Sequence, residues 1–556
     1  MLGKEQVTCP ICNDCVDKLV YRFHFDNERT VIEKIKNGHP SWAIDDGICS
    51  RCIDYYHVEI IREQRLLPSI GPYFPVKSVD DFVILPTGLR LDADPRYTGK
   101  GVTICFIDSG FSPHPDVIRS GNRIKAILDM TGTENLNNSG SSAAQTDSNA
   151  AWHGTMTTVV CAGDGWQSKG LYKGIASGAE LVLLKVQDNH GKITTGYIVK
   201  ALEWVLQNHR SAGIRIINLS LSDDETGSYK DSKVDQLAEA LIAEGIVIVA
   251  AVGNDESARI HPPANSPNVI AVGGIDDGNE LNNGNGRAWH SSYGKTTDGL
   301  MKPELVAHAI WVAAPILCDT SEKEEAETLY HLLTLSEAVF LKELEKKISK
   351  TRLDHSILQG SDIPGKKESI RNRIQSAKYI SPDYMHVDGT SFSAPVVSAV
   401  IAQLLEADPL LTPAQVRQIL FKTAKRIAGV PPERQGFGVI QPRKALLKVL
   451  KRECFGKKGE SPFINRQKNT IEFFIYHRDA EQISLVGSFN QWTKDVLLLT
   501  PGYEGLWKID IPMLPQGLYR YKFLVNEEDW LEDVDNPFRE PDGFDGFNSL
   551  FKIEPN

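Results

Sequence analysis

Four residues scattered along the chain have the types that acyl transfer needs, and each stands beside a structural signal. In "DGTSFSAPV", Asp388 to Val396, Ser391 precedes an apolar run. A serine hydroxyl is a weak nucleophile at neutral pH, so it needs a base within hydrogen-bond reach and a third group to orient that base. Asp108 closes the apolar run "GVTICFID", and parallel sheets present functional groups at the carboxyl ends of their strands. His153, in "AWHGTMTTVVCAG", heads an apolar helical run. Asn254 follows "IVIVAAVG", and an amide there can donate to the oxyanion of an attacked carbonyl. Singly, each residue has a plainer reading: a turn for Asp108, a core histidine for His153, a turn or cap for Asn254, a helix N-cap for Ser391. Thr390 and Ser391 are read as opening a helix with Pro395 in its first turn. There the missing N–H costs little, and the helix dipole favours negative charge beside the serine.

A second chemistry sits near the start. Cys9 and Cys12 in "CPIC" and Cys49 and Cys52 in "CSRC" form two CxxC pairs with 36 residues between them. Two such knuckles complete a closed tetrahedral shell for Zn²⁺, which would give a small region with few large apolar runs its folding energy. The spacer is longer than in the usual ribbon, and Cys15 or His57 could replace a ligand; redox-active or free thiols are the competing reading.

These residues need elements to hold them. From Gly99 to about Leu450, short β-branched runs ("GVTICFID", "AELVLLKV", "IRIINLSL", "GIVIVAAVGN", "NVIAVGG") alternate with helical stretches such as "TTGYIVKALEWVLQNH". That alternation predicts an α/β fold, a parallel sheet covered by helices on both faces. Residues 319–380 break the rhythm with Leu329, Leu333, Phe340, Leu344 and Ile348 at near-helical spacing among charges, predicting a helical insertion. A charged linker is read over 452–470, and after it "IEFFIYH", "QISLVGSFN", "GLWKIDIPM", "GLYRYKFLV" and "NSLFKIE" predict a small immunoglobulin-like β-sandwich over 471–556. The expected division is thus 1–80 cysteine-rich, 81–451 catalytic, 452–470 linker and 471–556 sandwich.

Composition narrows the classes. The 556 residues carry 41% hydrophobic and 24% charged side chains, ordinary for globular protein, so the length points to several domains. A net charge of −11 argues against nucleic acid or an anionic membrane as partner. The first residues lack a basic region followed by an apolar stretch, and the nine cysteines are odd in number, so reduced thiols and a cytoplasmic location are expected.

The order Asp108, His153, Asn254, Ser391 with these flanks resembles the subtilisin-like serine proteases, from about Gly99 to Leu450. The resemblance implies a serine endopeptidase acting on polypeptide through an acyl-enzyme. In it Asp108, His153 and Ser391 would form the triad and Asn254 would serve the oxyanion. It also implies that Ser220, Leu221 and Ser222 in "INLSLS" line the primary specificity pocket and that Gly196 edges a second substrate strand; ordinary strand ends are the bland alternative. Met156 stands where many relatives have a second histidine. Family calcium sites are implied, but no Ca²⁺ ligand is assigned. The tail, "ISLVGSFNQWTKDVLLL" onward, resembles the glycogen-binding module of AMP-activated kinase beta subunits, with Trp492, Lys522, Trp530 and Asn548 at that module's ligand positions. That implies glycogen or another α-glucan as ligand, or a protein partner. The alternative to an active peptidase is a masked scaffold that binds glycans or proteins.

Overall fold

The computed structural model describes residues 7–16, 19–21, 25–64, 84–132, 148–223, 227–257, 259–281, 286–451, 461–466, 468–477, 479–502, 505–544 and 546–554. At its centre lie seven parallel strands: β1 (Thr103–Asp108), β2 (Ile124–Asp129), β3 (Glu180–Lys185), β4 (Ile214–Leu219), β5 (Val247–Ala251), β6 (Ile270–Asp276) and β7 (Leu305–His308). They run side by side as β7-β6-β5-β4-β1-β3-β2, with the short antiparallel Arg287–Ala288 added on β6. β1 is buried at all six positions, as a strand covered on both faces must be, which is why the sequence shows a continuous apolar run there. From β1 the chain first builds toward β3 and β2, then crosses to β4 and onward to β7. The order therefore reverses between β1 and β4, and open α/β sheets place their ligand crevice at that switch point.

Helices cover both faces. Those bearing on the site are α3 (Ser148–Ala162), α4 (Thr195–Ala212), α5 (Lys233–Ala243) and α9 (Thr390–Ala407). One core gathers α3 and α9 on one face, with Val159, Phe392, Val396 and Val400; a second gathers α4 and α5 on the other, with Ile198, Leu202, Leu237 and Leu241. α9 is long and apolar enough to cross a membrane by length and composition, yet it is buried nearly all round as a central core helix.

Three further bodies attach to this sheet. The head contributes α1 (Phe25–Gly38) and α2 (Ser50–Gln64), whose Ile35, Tyr55 and Val58 join the same core as α11 (Pro442–Leu450). The insertion holds α6 (Ser321–Thr334), α7 (Glu337–Lys347) and α8 (Ile363–Ser376) around Leu329, Phe340, Leu344, Ile370 and Ile374, a small core of its own. It leaves and rejoins through β8 (Val312–Pro315) and β9 (Tyr384–Val387), an antiparallel pair with Val312 opposite Val387 and Pro315 opposite Tyr384.

The tail is a sandwich of two antiparallel sheets. One holds β10 (Thr470–Tyr476) and β12 (Leu506–Pro512); the other holds β11 (Ile483–Gly487), β13 (Gly517–Val525) and β14 (Phe547–Ile553). Phe473, Trp507, Tyr521, Phe523 and Phe551 fill the space between them. The expected linker is shorter at its far end, because Phe463–Asn465 already pairs with β10 and Ile464 packs on the sandwich core. Residues 452–460 of that linker lie outside the described residues.

Candidate functional site

β1 ends at Asp108, a residue 1% exposed at the switch point. One carboxylate oxygen accepts the backbone N–H of Ser109 at 2.7 Å, and the other accepts the Thr157 hydroxyl at 3.1 Å. His153 enters from the first turns of α3, and its Nδ1 lies 2.7 Å from Asp108 Oδ1. The close approach is permitted by Gly154: a Cβ there would lie 2.3 Å from the Gly110 carbonyl oxygen and 3.0 Å from the Asp108 Cβ. Burial lowers the imidazole's pKa, but the Asp108 charge and hydrogen bond outweigh it and hold the value above the ordinary 6.5.

Ser391 is the second residue of α9. Pro395 lies in the interior of that helix rather than in its first turn, so the expectation from sequence is corrected. A proline at that place has no N–H for the carbonyl four residues back, which is that of Ser391. The orphaned carbonyl takes the Ser220 hydroxyl as donor instead, at 2.7 Å. Ser220 Oγ in turn accepts from Asn218 Nδ2 at 3.1 Å, and Asn218 Oδ1 accepts from the Ser398 hydroxyl at 3.0 Å. A buried polar ladder thus ties the end of β4 to α9 and fixes the height of Ser391 above the sheet.

The Ser391 hydroxyl itself donates to the Ser220 carbonyl oxygen at 3.3 Å. Among the described residues no hydrogen bond joins it to His153, whose ring lies 5.9 Å, centroid to centroid, from that of Phe392. Catalytic hydrogen bonds are often open before substrate arrives. Asn254 stands on the other side. Its amide oxygen accepts from the Thr390 N–H at 2.9 Å and the Thr390 hydroxyl at 2.8 Å, which assigns its Nδ2 as the end left to donate. Gly389, at φ +132°, takes the bend before α9; a Cβ on it would lie 3.5 Å from Asn254 Nδ2 and 3.8 Å from Ser391 N. Two donors therefore share one small space, and the Ser391 N–H belongs to the first turn, where helix N–H groups have no intrahelical acceptor.

Of the expected pocket residues, Ser220 is buried in the ladder just described, Leu221 is half-buried and Ser222 is exposed just past the end of β4. Gly196 differs from expectation. The Thr194 side chain caps α4 by accepting from the Tyr197 N–H, so Gly196 lies in an exposed helical turn and extended backbone ends at Thr194. Met156 is buried against the core. The sequence alone does not indicate the roles of three neighbours: Thr157, the second anchor of Asp108; Thr390, which orients Asn254; and Trp152. Trp152 is 46% exposed and meets the His153 ring edge-on at 5.3 Å. An aromatic directly before "HG" was the only signal available for it.

In the head, the sulfurs of Cys9, Cys12, Cys49 and Cys52 all lie within 4.8 Å of one another. Cys12 and Cys49 are 3.9 Å apart, close to the ~3.8 Å edge of a tetrahedron built with metal–sulfur bonds of ~2.3 Å, so the donor set fits a tetrahedral, thiophilic ion. Sharing one space couples the thiols. Cys49 is drawn down to about 5, chiefly by its hydrogen bond with Cys52, while Cys52 is driven far up by that bond and by burial. His57 stands on α2 outside this group, and the Cys15 side chain lies outside the described residues.

In the tail, strand alternation puts Lys522 and Leu524 on the outer face of β13. Trp530 pairs opposite Leu524 and is 42% exposed; its ring lies 6.4 Å from that of Trp492. Lys522 is buried and ion-paired with Asp542, and Asn548 is half-buried at the start of β14, opposite Glu540.

A parallel α/β sheet with a strand-end Asp–His pair beside a helix-terminal serine has the architecture of the serine-hydrolase class. Residues 99–438 match the family model described as the Subtilase family, more than half of the chain. This chain belongs to that family. Residues 471–556 match a second model, described as the glycogen recognition site of AMP-activated protein kinase. Among curated proteins, the serine protease AprX of Bacillus subtilis is 27% identical over 354 residues, 62% of this chain and 65% of AprX. The M-protease of Shouchella clausii is 30% identical over 303 residues, 50% of this chain and 70% of that protein. The chain thus spans just under two thirds of AprX. Among solved structures, fervidolysin from Fervidobacterium pennivorans aligns with a TM-score of 0.43 at 18% identity, over 79% of this chain and 54% of that one.

Proposed function

We propose that the chain is a cytoplasmic serine endopeptidase. The observation that carries this reading is the 2.7 Å contact of Asp108 with His153 Nδ1, set beside a helix-terminal serine and an oriented amide. Asp108 holds the imidazole with Nδ1–H toward itself, leaving Nε2 as the base. Extended substrate lying along 220–222 competes for the Ser220 carbonyl oxygen with one of its own N–H groups, which releases the Ser391 hydroxyl to turn to His153. His153 takes the proton as Ser391 Oγ attacks the peptide carbonyl. The resulting oxyanion is held by Asn254 Nδ2 and the Ser391 N–H, and His153 then returns the proton to the leaving amine. Water repeats the sequence on the acyl-enzyme.

The four-thiol cluster is a structural site for Zn²⁺, which would tie the loop at Cys9–Cys12 to the start of α2. The tail binds α-glucan, with Trp492 and Trp530 stacking on sugar rings and Lys522 and Asn548 meeting hydroxyls. The deciding experiment is labelling with a fluorophosphonate, which needs an activated hydroxyl, together with cleavage of unfolded casein. The parent should label and cleave; a Ser391→Ala chain that cleaved at the parent's rate would refute the peptidase reading. Co-sedimentation with glycogen tests the tail separately.

A further inference from the structure

The sandwich is bolted to the peptidase domain. Arg539 is buried between the rings of Phe437, at 4.2 Å, and Phe547, at 4.7 Å, and it donates to the Pro303 carbonyl oxygen at 3.2 Å. Gln418, on α10 (Pro413–Thr423), donates to Asp535 at 2.6 Å, and Arg426 donates to Glu532 at 2.5 Å. Beside this seam a cavity of about 450 Å³ opens between the two domains. Lys422 and Lys448 line it from the peptidase side; Tyr476, His477, Trp530 and Glu532 line it from the sandwich side. Such a volume lies within the ~300–1,000 Å³ of small-molecule sites.

Three features indicate the chemistry of its occupant. The first is charge balance: the cations Lys422, Arg426 and Lys448 face the carboxylates Asp479, Glu532, Asp533 and Asp535. Burial raises the pKa values of Glu532 and Asp535 and pushes Asp533 up to about 7, which leaves Asp533 part-protonated near neutrality. Among the described residues the cations and anions of the lining are thus close to balance, which selects neither phosphates nor polyamines. The second is mixed hydrogen-bonding capacity in the lining: the Lys422 and Lys448 ammonium groups donate and the Asp479 and Glu532 carboxylates accept, the combination that hydroxyls satisfy. The third is continuity. Trp530 lines this cavity and also stands 6.4 Å from Trp492, so one ring is common to the cavity and the outer aromatic pair. Flat rings beside closely spaced donors and acceptors suit a ligand with apolar C–H faces and many hydroxyls.

We propose that the interdomain cavity is a second, composite saccharide site, in which an α-glucan chain end runs past Trp530 and is grasped by Lys422 and Lys448 of the peptidase domain. The inference rests on the glucan reading of the tail and adds to it a contribution from the other domain. Glucan binding then belongs to the whole chain, since part of the lining, Lys422 and Lys448 included, comes from elements outside the sandwich.

The test uses the full chain carrying Ser391→Ala, titrated with maltoheptaose and followed by tryptophan fluorescence, with glycogen co-sedimentation alongside. A Lys422→Ala/Lys448→Ala variant, with an unchanged melting temperature, should bind maltoheptaose about tenfold more weakly, as expected for losing hydrogen bonds from charged donors. His477→Ala, on the sandwich side of the cavity, should also weaken binding. Were both variants to bind like the parent while Trp492→Ala lost binding, the sugar would be confined to the outer face; the cavity proposal would fall and the glucan reading would stand. If the parent bound neither maltoheptaose nor glycogen, both would fall together.

Discussion

The cluster around Asp108 and His153 and the thiol cluster are polar sites built by opposite means. Asp108, His153, Asn254 and Ser391 come from four separate elements, and a thick apolar scaffold delivers them: β1 and α9 are buried along nearly their whole length. Each polar atom is held by a neighbour that belongs to the scaffold, Thr157 for Asp108 and Thr390 for Asn254. The four cysteines come from the turn at Cys9–Cys12 and the start of α2 at Cys49–Cys52, and their sulfurs gather within 4.8 Å of one another. The first site is held together by its surroundings; the second must help hold its surroundings together. Substitution in the first should therefore cost rate and spare the fold, whereas substitution in the second should cost the fold and spare the chemistry.

The largest expected effect is on rate. Ser391→Ala should lower casein cleavage by about 10⁴–10⁶-fold with the melting temperature nearly unchanged. A large loss of stability instead would break the contrast. Asp108→Asn comes next, with a fall of about 10⁴-fold in kcat and a displaced pH profile. The parent's base must be neutral, and its pKa is held above 6.5, so activity should rise with pH through that raised value. Without the Asp108 charge, burial alone acts on the imidazole, and the acid limb should move below 6.5. The linked stability has the opposite pH dependence: the protonated pair stabilises the fold fully below 6.5, and the contribution is lost as pH rises through the raised value.

Asn254→Ala should cost about 10²–10³-fold in kcat with little change in KM, because the donor acts only on developing charge. On the thiol side, a strong zinc chelator or Cys49→Ser should produce a calorimetric transition lowered by about 5 °C or more, with casein turnover per folded molecule preserved. A metal-free preparation that melts like the parent would remove the distinction between the two sites.

How far each site was legible in the sequence follows from the same contrast. Asp108, His153, Asn254 and Ser391 could be read because each sits at a strand end or helix start whose local pattern is strong. The CxxC pairs could be read because the spacing itself is the geometry. Pro395 could not be placed, since its tolerance inside α9 depends on a hydroxyl donated by Ser220, remote in sequence. Gly196 lies in a helix rather than beside a strand because the cap at Thr194 starts α4 just before it. Arg539 gave no signal at all: a buried guanidinium between two rings reflects a partner domain, and no local pattern encodes that.

The paired residues Pro315 and Tyr384 carry a consequence for how this protein can change. Everything from 316 to 383 departs and returns through a doorway one strand-pair wide, just upstream of the bend into α9. A closed excursion of this kind burdens the catalytic core mainly with loop-closure entropy, which grows only with the logarithm of length. Trimming, lengthening or exchanging its helices should leave the pairing of β8 with β9 in place provided that Lys378–Ile380, which bonds the other edge of β9, is kept, and with it the delivery of Ser391. The Tyr384 hydroxyl bonded to Asp116 secures the threshold from the peptidase side. The region is thus a place where new surface can be acquired without renegotiating the chemistry.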